Sequence, residues 1–251
     1  MLIHRLRRLF FYNQYDSSAY WRSRASCPGQ AAVLWNNEQY NVLYRKLQYD
    51  ILRPYVQSLP PNARILDVGC GIGTVTEMLL TMRSDIAIDA LDFPEMIAVA
   101  KTRVSDERVR FIEGSAESYI VEGEVYDLVI SSGCYSAIRD ISKLEMAIGN
   151  GAKMLKVGGI MLMIDPFHRW NYLARAKYGT QDVVRLLEQH NLQLQTKSGV
   201  LFWPFREWLA NSAYSGDALE TRFHLGERLL AIMGRHFWAD YKILLFKKTT
   251  K

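Results

Sequence analysis

From Arg64 onward, short runs of aliphatic and β-branched residues alternate with longer stretches in which apolar residues return every three or four positions. The first pattern predicts buried strands and the second amphipathic helices; their alternation predicts βαβ units around a mainly parallel sheet. Strands are expected over 64–68, 86–91, 109–112, 126–131 and 160–164, with helices over 74–82, 94–103 and 142–156. Lys156-Val157-Gly158-Gly159 reads as a glycine-stopped helix end that feeds the fifth strand. Further on, 180–190 predicts a helix capped by Thr180, and 192–201 and 238–247 predict two final strands.

The expected fold is therefore α/β: a Rossmann-like, mainly parallel, seven-stranded sheet with helices on both faces. Residues 1–63, helical in pattern and dense in Tyr and Trp, are expected to cap the sheet edge. The core then runs over 64–251, interrupted before its last strand by a helical insertion at about 202–237 with a helix over 218–233. Cap, core and insertion read as one folding unit.

Composition narrows the setting. With 251 residues, 49% of them hydrophobic and 23% charged, the chain has the material for one substantial core and lacks the signature of disorder. No apolar run approaches the roughly 20 residues that cross a bilayer. Met1 to Phe11 combines Arg5, Arg7 and Arg8 with Leu9-Phe10-Phe11, an apolar patch too short for a secretion signal. A helical face of Leu2, Leu6, Leu9 and Phe10 suits weak contact of residues 1–11 with an anionic membrane surface. Cys27, Cys70 and Cys134 are odd in number and lack metal-ligand spacing, which predicts free thiols, no metal and a cytoplasmic protein. The net charge of +5 admits anionic partners, but the basic residues are scattered without an aromatic-basic signature, so nucleic acid is not expected. Oligomeric state is left open.

The chemistry concentrates at the end of the first strand. A strand that ends in Asp67 and turns through Gly69, Gly71 and Gly73 into a helix brings bare backbone to a nucleotide. A dinucleotide fingerprint would need glycine at position 74, where Thr74 stands, and this disfavours a nicotinamide-dependent oxidoreductase. Leu66-Asp67-Val68-Gly69-Cys70-Gly71-Ile72-Gly73 resembles the first motif of the class I S-adenosylmethionine (SAM) dependent methyltransferases. The resemblance implies SAM as cofactor, with Gly69, Cys70 and Gly71 along its methionine part and Asp67 orienting its amino group.

Three later segments resemble the same family in order, so that the likeness runs from about Arg64 to Asp165. Leu91-Asp92-Phe93 places an acid 23 positions beyond Gly69, where a carboxylate can take both ribose hydroxyls, with Phe93 beside it. Gly114-Ser115-Ala116-Glu117 stands at the adenine side, with Ser115 where the family commonly has aspartate and the Ala116 backbone available regardless of side chain. Tyr126 to Ser132 matches the fourth motif, and the residues from Ser131 onward would face the methyl group. The Tyr-Trp pair Tyr20-Trp21 resembles segments that fold over bound SAM in relatives.

Methyl transfer from a sulfonium is an in-line displacement that asks the protein to align the reactants and exclude water, with a general base where the acceptor carries a proton. Many small-molecule relatives carry a His pair shortly after the fourth strand; Ser136 and Ala137 occupy those places here. The candidate catalytic residues are then His168, just past the fifth strand, and Tyr135, with Cys134 and Asp165 in reserve. In place of the Asn-Pro-Pro-Tyr type of segment found in nucleic-acid and protein amide N-methyltransferases stands Ser132-Gly133-Cys134-Tyr135. Together with an aromatic insertion (Phe202, Trp203, Phe205, Trp208, Tyr214) that predicts an apolar substrate pocket, this points to a small-molecule or lipid-like acceptor methylated at oxygen or nitrogen. The absent His pair keeps open a SAM-binding regulatory or scaffold protein without transferase activity.

Overall fold

The computed structural model describes residues 17–167 and 178–250. One sheet is built from Arg64–Val68 (β1), Ala87–Asp92 (β2), Val109–Glu113 (β3), Tyr126–Ser132 (β4), Leu155–Asp165 (β5), Leu192–Phe202 (β6) and Ala239–Lys248 (β7). Its order is β3-β2-β1-β4-β5-β7-β6. The pairs β1 with β2, β2 with β3, β1 with β4 and β4 with β5 are parallel, and β7 runs antiparallel to both of its neighbours. Ser17–Arg24 (α1) and Glu38–Gln57 (α2) precede the sheet. Thr74–Met82 (α3), Pro94–Arg103 (α4) and Ile141–Met154 (α5) lie in the crossovers that parallel neighbours require, and Thr180–Glu188 (α6) precedes β6. Trp203–Leu209 (α7), Gly216–Met233 (α8) and Arg235–Trp238 (α9) occupy the insertion.

The two-residue alternation along each strand sorts the core into two layers. Ile65, Leu128, Ile130, Leu162, Ile164, Ile243 and Leu245 share a buried cluster with Val75 and Leu79 of α3 and with Tyr40, Tyr44, Leu52 and Val56 of α2. Leu66, Val129, Met161, Met163, Leu244 and Phe246 point the other way, against Leu144 and Ile148 of α5 and Val183 and Leu187 of α6. Both faces are thus covered. The expectation of an edge cap is corrected for α2, which forms part of one layer of the core itself.

Two local readings are also corrected. The pair Gly158-Gly159 does not stop α5, which ends at Met154; it lies inside β5, where pairing slips from Tyr126 with Leu155 to Leu128 with Ile160. Gly158 has φ +80°, and a Cβ on Gly159 would sit 2.9 Å from the Lys156 carbonyl oxygen, so glycine answers to a bulge and not to a helix end. Thr180 is the first residue of α6 and Gly179 its cap; the Asp182 carboxylate takes the Gly179 amide at 2.8 Å.

The chain leaves β1 toward β2 and β3 on one side, then returns to β4 on the other. Loops after β1 and β4 therefore diverge at the carboxyl edge of the sheet and open a crevice between them, the usual place for a ligand in such sheets.

Candidate active site

A cavity of about 610 Å³ occupies that crevice. Gly69, Cys70 and Gly71 form its floor, Asp92, Phe93, Ser115 and Ala116 one flank, and Ser132, Gly133, Cys134 and Ser136 the other. The amides of Gly69 and Cys70 both donate to the Leu91 carbonyl, at 2.8 and 3.0 Å, which ties the turn to the end of β2. All three glycines of the turn have positive φ. The space their side chains would need is already taken by protein: a Cβ on Gly69 would lie 2.4 Å from Cys134 Cβ, and one on Gly71 2.8 Å from Val33 Cγ1. Glycine here satisfies backbone conformation and close packing of the loop.

Asp92 is the best-placed of the expected residues. Its Oδ2 accepts the Gly71 amide and its Oδ1 the Phe93 amide, both at 2.7 Å, while the carboxyl group borders the cavity. Burial pushes its pKa up to about 6 against the lowering effect of those two amides. Arg22 of α1 rests its guanidinium over the Phe93 ring, 4.7 Å from the centroid, and so binds the N-terminal helix to this flank.

Four expected positions lie elsewhere. Asp67 is buried beneath the turn, where it accepts the Thr76 hydroxyl at 2.7 Å and braces the start of α3; it does not border the cavity. Burial pushes its carboxyl up to about 6. Ser131 is wholly buried and donates to Asp165 at 2.8 Å. Tyr20 points away, and its neighbours Ser18 and Trp21 reach the cavity instead. Tyr135 is packed in the core against α5, its hydroxyl buried without a hydrogen-bond partner, and burial holds the phenol well above its ordinary pKa. A group so placed cannot take a proton from a ligand, and the catalytic reading of Tyr135 is corrected.

The reserve bases fare no better. Asp165 accepts from the Ser131 and Ser136 hydroxyls and the Ser136 amide, which makes it the brace between β4 and β5. Burial pushes the Cys70 and Cys134 thiols well above their usual value, so neither is a thiolate. His168 and residues 1–11 lie outside the described residues. Among the described residues, no group of three or more His, Cys, Asp or Glu side chains is placed to hold a metal ion.

What the sequence reading missed comes from α2 and the end of the chain. Arg45 projects from α2 into the cavity, donating to Gln30 Oε1 at 3.1 Å and Gln48 Oε1 at 2.6 Å. Gln30 in turn donates to Thr74 at 3.1 Å and Gln48 to Ser132 at 2.6 Å, so one polar chain links the start of α3 to the end of β4 across the crevice. Both of these Arg45 partners are neutral, and among the described residues no carboxylate forms an ion pair with it; burial lowers its pKa. Beyond it the cavity is walled by Trp35, Tyr44 and Tyr241, whose rings meet at 5.3–5.8 Å, and by the ion pair of Arg206 with Asp240 at 2.5 Å. The signal was present in the sequence. Asn41, Arg45 and Gln48 recur at steps of four and three on the buried side of α2, breaking its apolar stripe. Of the insertion aromatics expected to line a pocket, none borders this cavity; Arg206 does.

Comparison with known proteins agrees with this layout. Residues 65–159, from β1 into β5, match the family described as methyltransferase domain. The chain carries a class I methyltransferase domain. Malonyl-[acyl-carrier protein] O-methyltransferase of Bacillus anthracis is 32% identical over 169 residues, which span 66% of this chain and 60% of that protein. Ubiquinone biosynthesis O-methyltransferase of Azorhizobium caulinodans is 29% identical over 59% of this chain and 56% of its own length. Among solved structures, geranyl diphosphate C-methyltransferase of Streptomyces coelicolor A3(2) superposes with a TM-score of 0.64 over 93% of this chain and 97% of its own, at 14% identity. N-methyltransferase NodS of Bradyrhizobium japonicum WM9 does so with 0.62 over 94% and 100%, also at 14% identity. These structural likenesses extend the methyltransferase fold to the flanking segments.

Proposed function

We propose that this chain is a SAM-dependent methyltransferase that transfers a methyl group to an oxygen or nitrogen of a small-molecule or lipid-like acceptor. The observation that carries this reading is the convergence of Asp92 and Arg45 on opposite sides of the glycine turn within one cavity. The pair fits the two polar ends of SAM. A carboxylate suits the vicinal diol of a ribose, and a buried guanidinium without a carboxylate partner lacks the counter-charge that an amino-acid carboxylate would bring. Ser115 and Ala116 would then stand at the adenine and Gly69, Cys70 and Gly71 along the methionine part.

SAM, when bound, supplies a methyl group already activated by its sulfonium charge. The protein's share is to hold, align and keep dry. Arg45 and Asp92 anchor the donor at its two ends, the turn fixes its depth, and Trp21 closes the N-terminal side. The wall of Trp35, Tyr44 and Tyr241 excludes water from the acceptor's side, where the Tyr44 hydroxyl is wholly buried and completes no hydrogen bond. An enclosed lobe of this size suits a small or slender acceptor and not a folded macromolecule. The first curated relatives named above are matched over 60% or less of their length, and they act on an acyl-carrier-bound malonyl group and on a quinone precursor, as their names state. They support an oxygen acceptor for this chain.

The deciding experiment incubates the protein with methyl-labelled SAM and a fractionated small-molecule extract. Label moving into an extractable small molecule supports the proposal. Tight SAM binding with no transfer to any fraction would leave a binding protein, and absence of SAM binding in calorimetry would remove the reading altogether.

A further inference from the structure

Among the described residues, eleven large hydrophobic side chains are exposed, and six of them lie between 203 and 237. The most exposed two flank a sharp reversal: Ile232 at 82% and Phe237 at 73%, on either side of Gly234 with φ +103°. Met233 lies between them, and Leu225 extends the apolar strip one and a half to two turns back along α8, since 225, 228 and 232 fall on one helical face. The result is a convex apolar tip at the junction of α8 and α9.

This tip is held rigid from within. The buried Lys242 ammonium donates to the carbonyls of His236, Phe237 and Ala239 at 2.6, 3.3 and 2.7 Å, so the segment that carries Phe237 is tied down at three points. The tip is also cationic. Arg228, Arg235 and Lys197 are exposed around it, and the acid in contact with Arg235 is Glu227, at 3.5 Å, whose other oxygen takes the Leu201 amide. The ring of His236 reports the same field: burial, then Lys197 and Lys242, push it down to about 4.

We infer that this tip seats the protein on an anionic lipid surface, with Ile232, Met233 and Phe237 entering the headgroup boundary and Arg228, Arg235 and Lys197 contacting lipid phosphates and carboxylates. Apolar side chains ringed by cations match the order of phases in such a surface, acyl chains beneath anionic headgroups. Shape favours lipid over a protein partner. A convex projection needs a complementary hollow in a folded partner, while a fluid boundary accepts it without one. The inference does not depend on the identity of the donor or the acceptor.

The test is co-sedimentation of the full chain with vesicles of phosphatidylcholine alone and with one-third phosphatidylserine. The expected result is binding to the anionic vesicles only, weakened about tenfold or more by Ile232→Glu with Phe237→Glu, while Arg228→Gln with Arg235→Gln removes the preference for anionic lipid. All four positions are exposed, and unchanged thermal unfolding checks that each variant folds. No sedimentation of the wild type, equal binding to neutral vesicles, or undiminished binding by the Glu pair would overturn the inference. So would light scattering that shows a lipid-free dimer dispersed by the same Glu pair, which would make the tip a contact between copies of this chain. Calorimetric titration with S-adenosylhomocysteine (SAH) reads the cavity separately.

Discussion

Asp92 and Gly71 are joined by a 2.7 Å hydrogen bond from the glycine amide to the carboxylate, which couples the end of β2 to the turn after β1. One group thereby shapes the floor of the cavity and faces its interior.

Replacing Asp92 with alanine removes both functions. SAM affinity should fall by about tenfold to a hundredfold, the worth of one to two hydrogen bonds to a charged group. Its dependence on pH follows from burial, which pushes the group up to about 6. The ionised form accepts hydroxyls, so affinity is full above that value and declines as pH falls through it. Calorimetry between about pH 8 and about pH 5 should show the decline in the wild type and a flat profile in Asp92→Asn. Asp67, also pushed to about 6, is common to both proteins, so the difference between the profiles belongs to Asp92. Identical profiles would remove the ribose assignment.

Arg45→Gln should distinguish the two ends of the donor. SAH carries the amino-acid carboxylate and 5′-methylthioadenosine lacks it. The variant should bind SAH about tenfold or more weakly and methylthioadenosine as well as the wild type does. Equal weakening of both ligands would mean that Arg45 acts only by holding Gln30 and Gln48 in place.

Gly69→Ala meets a left-handed φ of +72° and a Cys134 Cβ at 2.4 Å. Urea denaturation should show a loss of about 2 kcal/mol or more. Adding Cys134→Gly should recover the steric part and leave the conformational part. A neutral effect of the single change would show that the turn relaxes freely.

The two residues singled out for catalysis now have opposite expectations. Tyr135→Phe deletes a hydroxyl that bonds to nothing, so turnover should stay within about twofold and stability should hold or rise. His168→Ala should lower turnover about tenfold or more with SAM affinity unchanged, the behaviour of a base that acts on the acceptor. Unaltered turnover in the second variant would take His168 out of the mechanism.

The strand and helix pattern from Arg64 onward was legible because strand alternation and helical spacing are local properties, and the turn because its glycines are forced by backbone geometry. Gly158-Gly159 was misread because a helix stop and a strand bulge draw on the same conformational freedom. Asp67, Ser131 and Tyr135 were misplaced for a different reason. Strand direction and motif position name a neighbourhood, but which side of a strand end a side chain takes depends on partners far along the chain, Thr76 for the first and Asp165 for the second. The acceptor lobe was illegible as a whole, because residues from 35 to 45 meet those from 206 to 241 only after folding.

The polar chain from Thr74 through Arg45 to Ser132 bears on the life of the enzyme after each reaction. SAM and SAH carry the same carboxylate and the same ribose, so a clamp built on Arg45 and Asp92 grips the spent donor as firmly as the fresh one. Turnover in the cell would then follow the ratio of the two more closely than the amount of either, and whatever clears the product would set the pace.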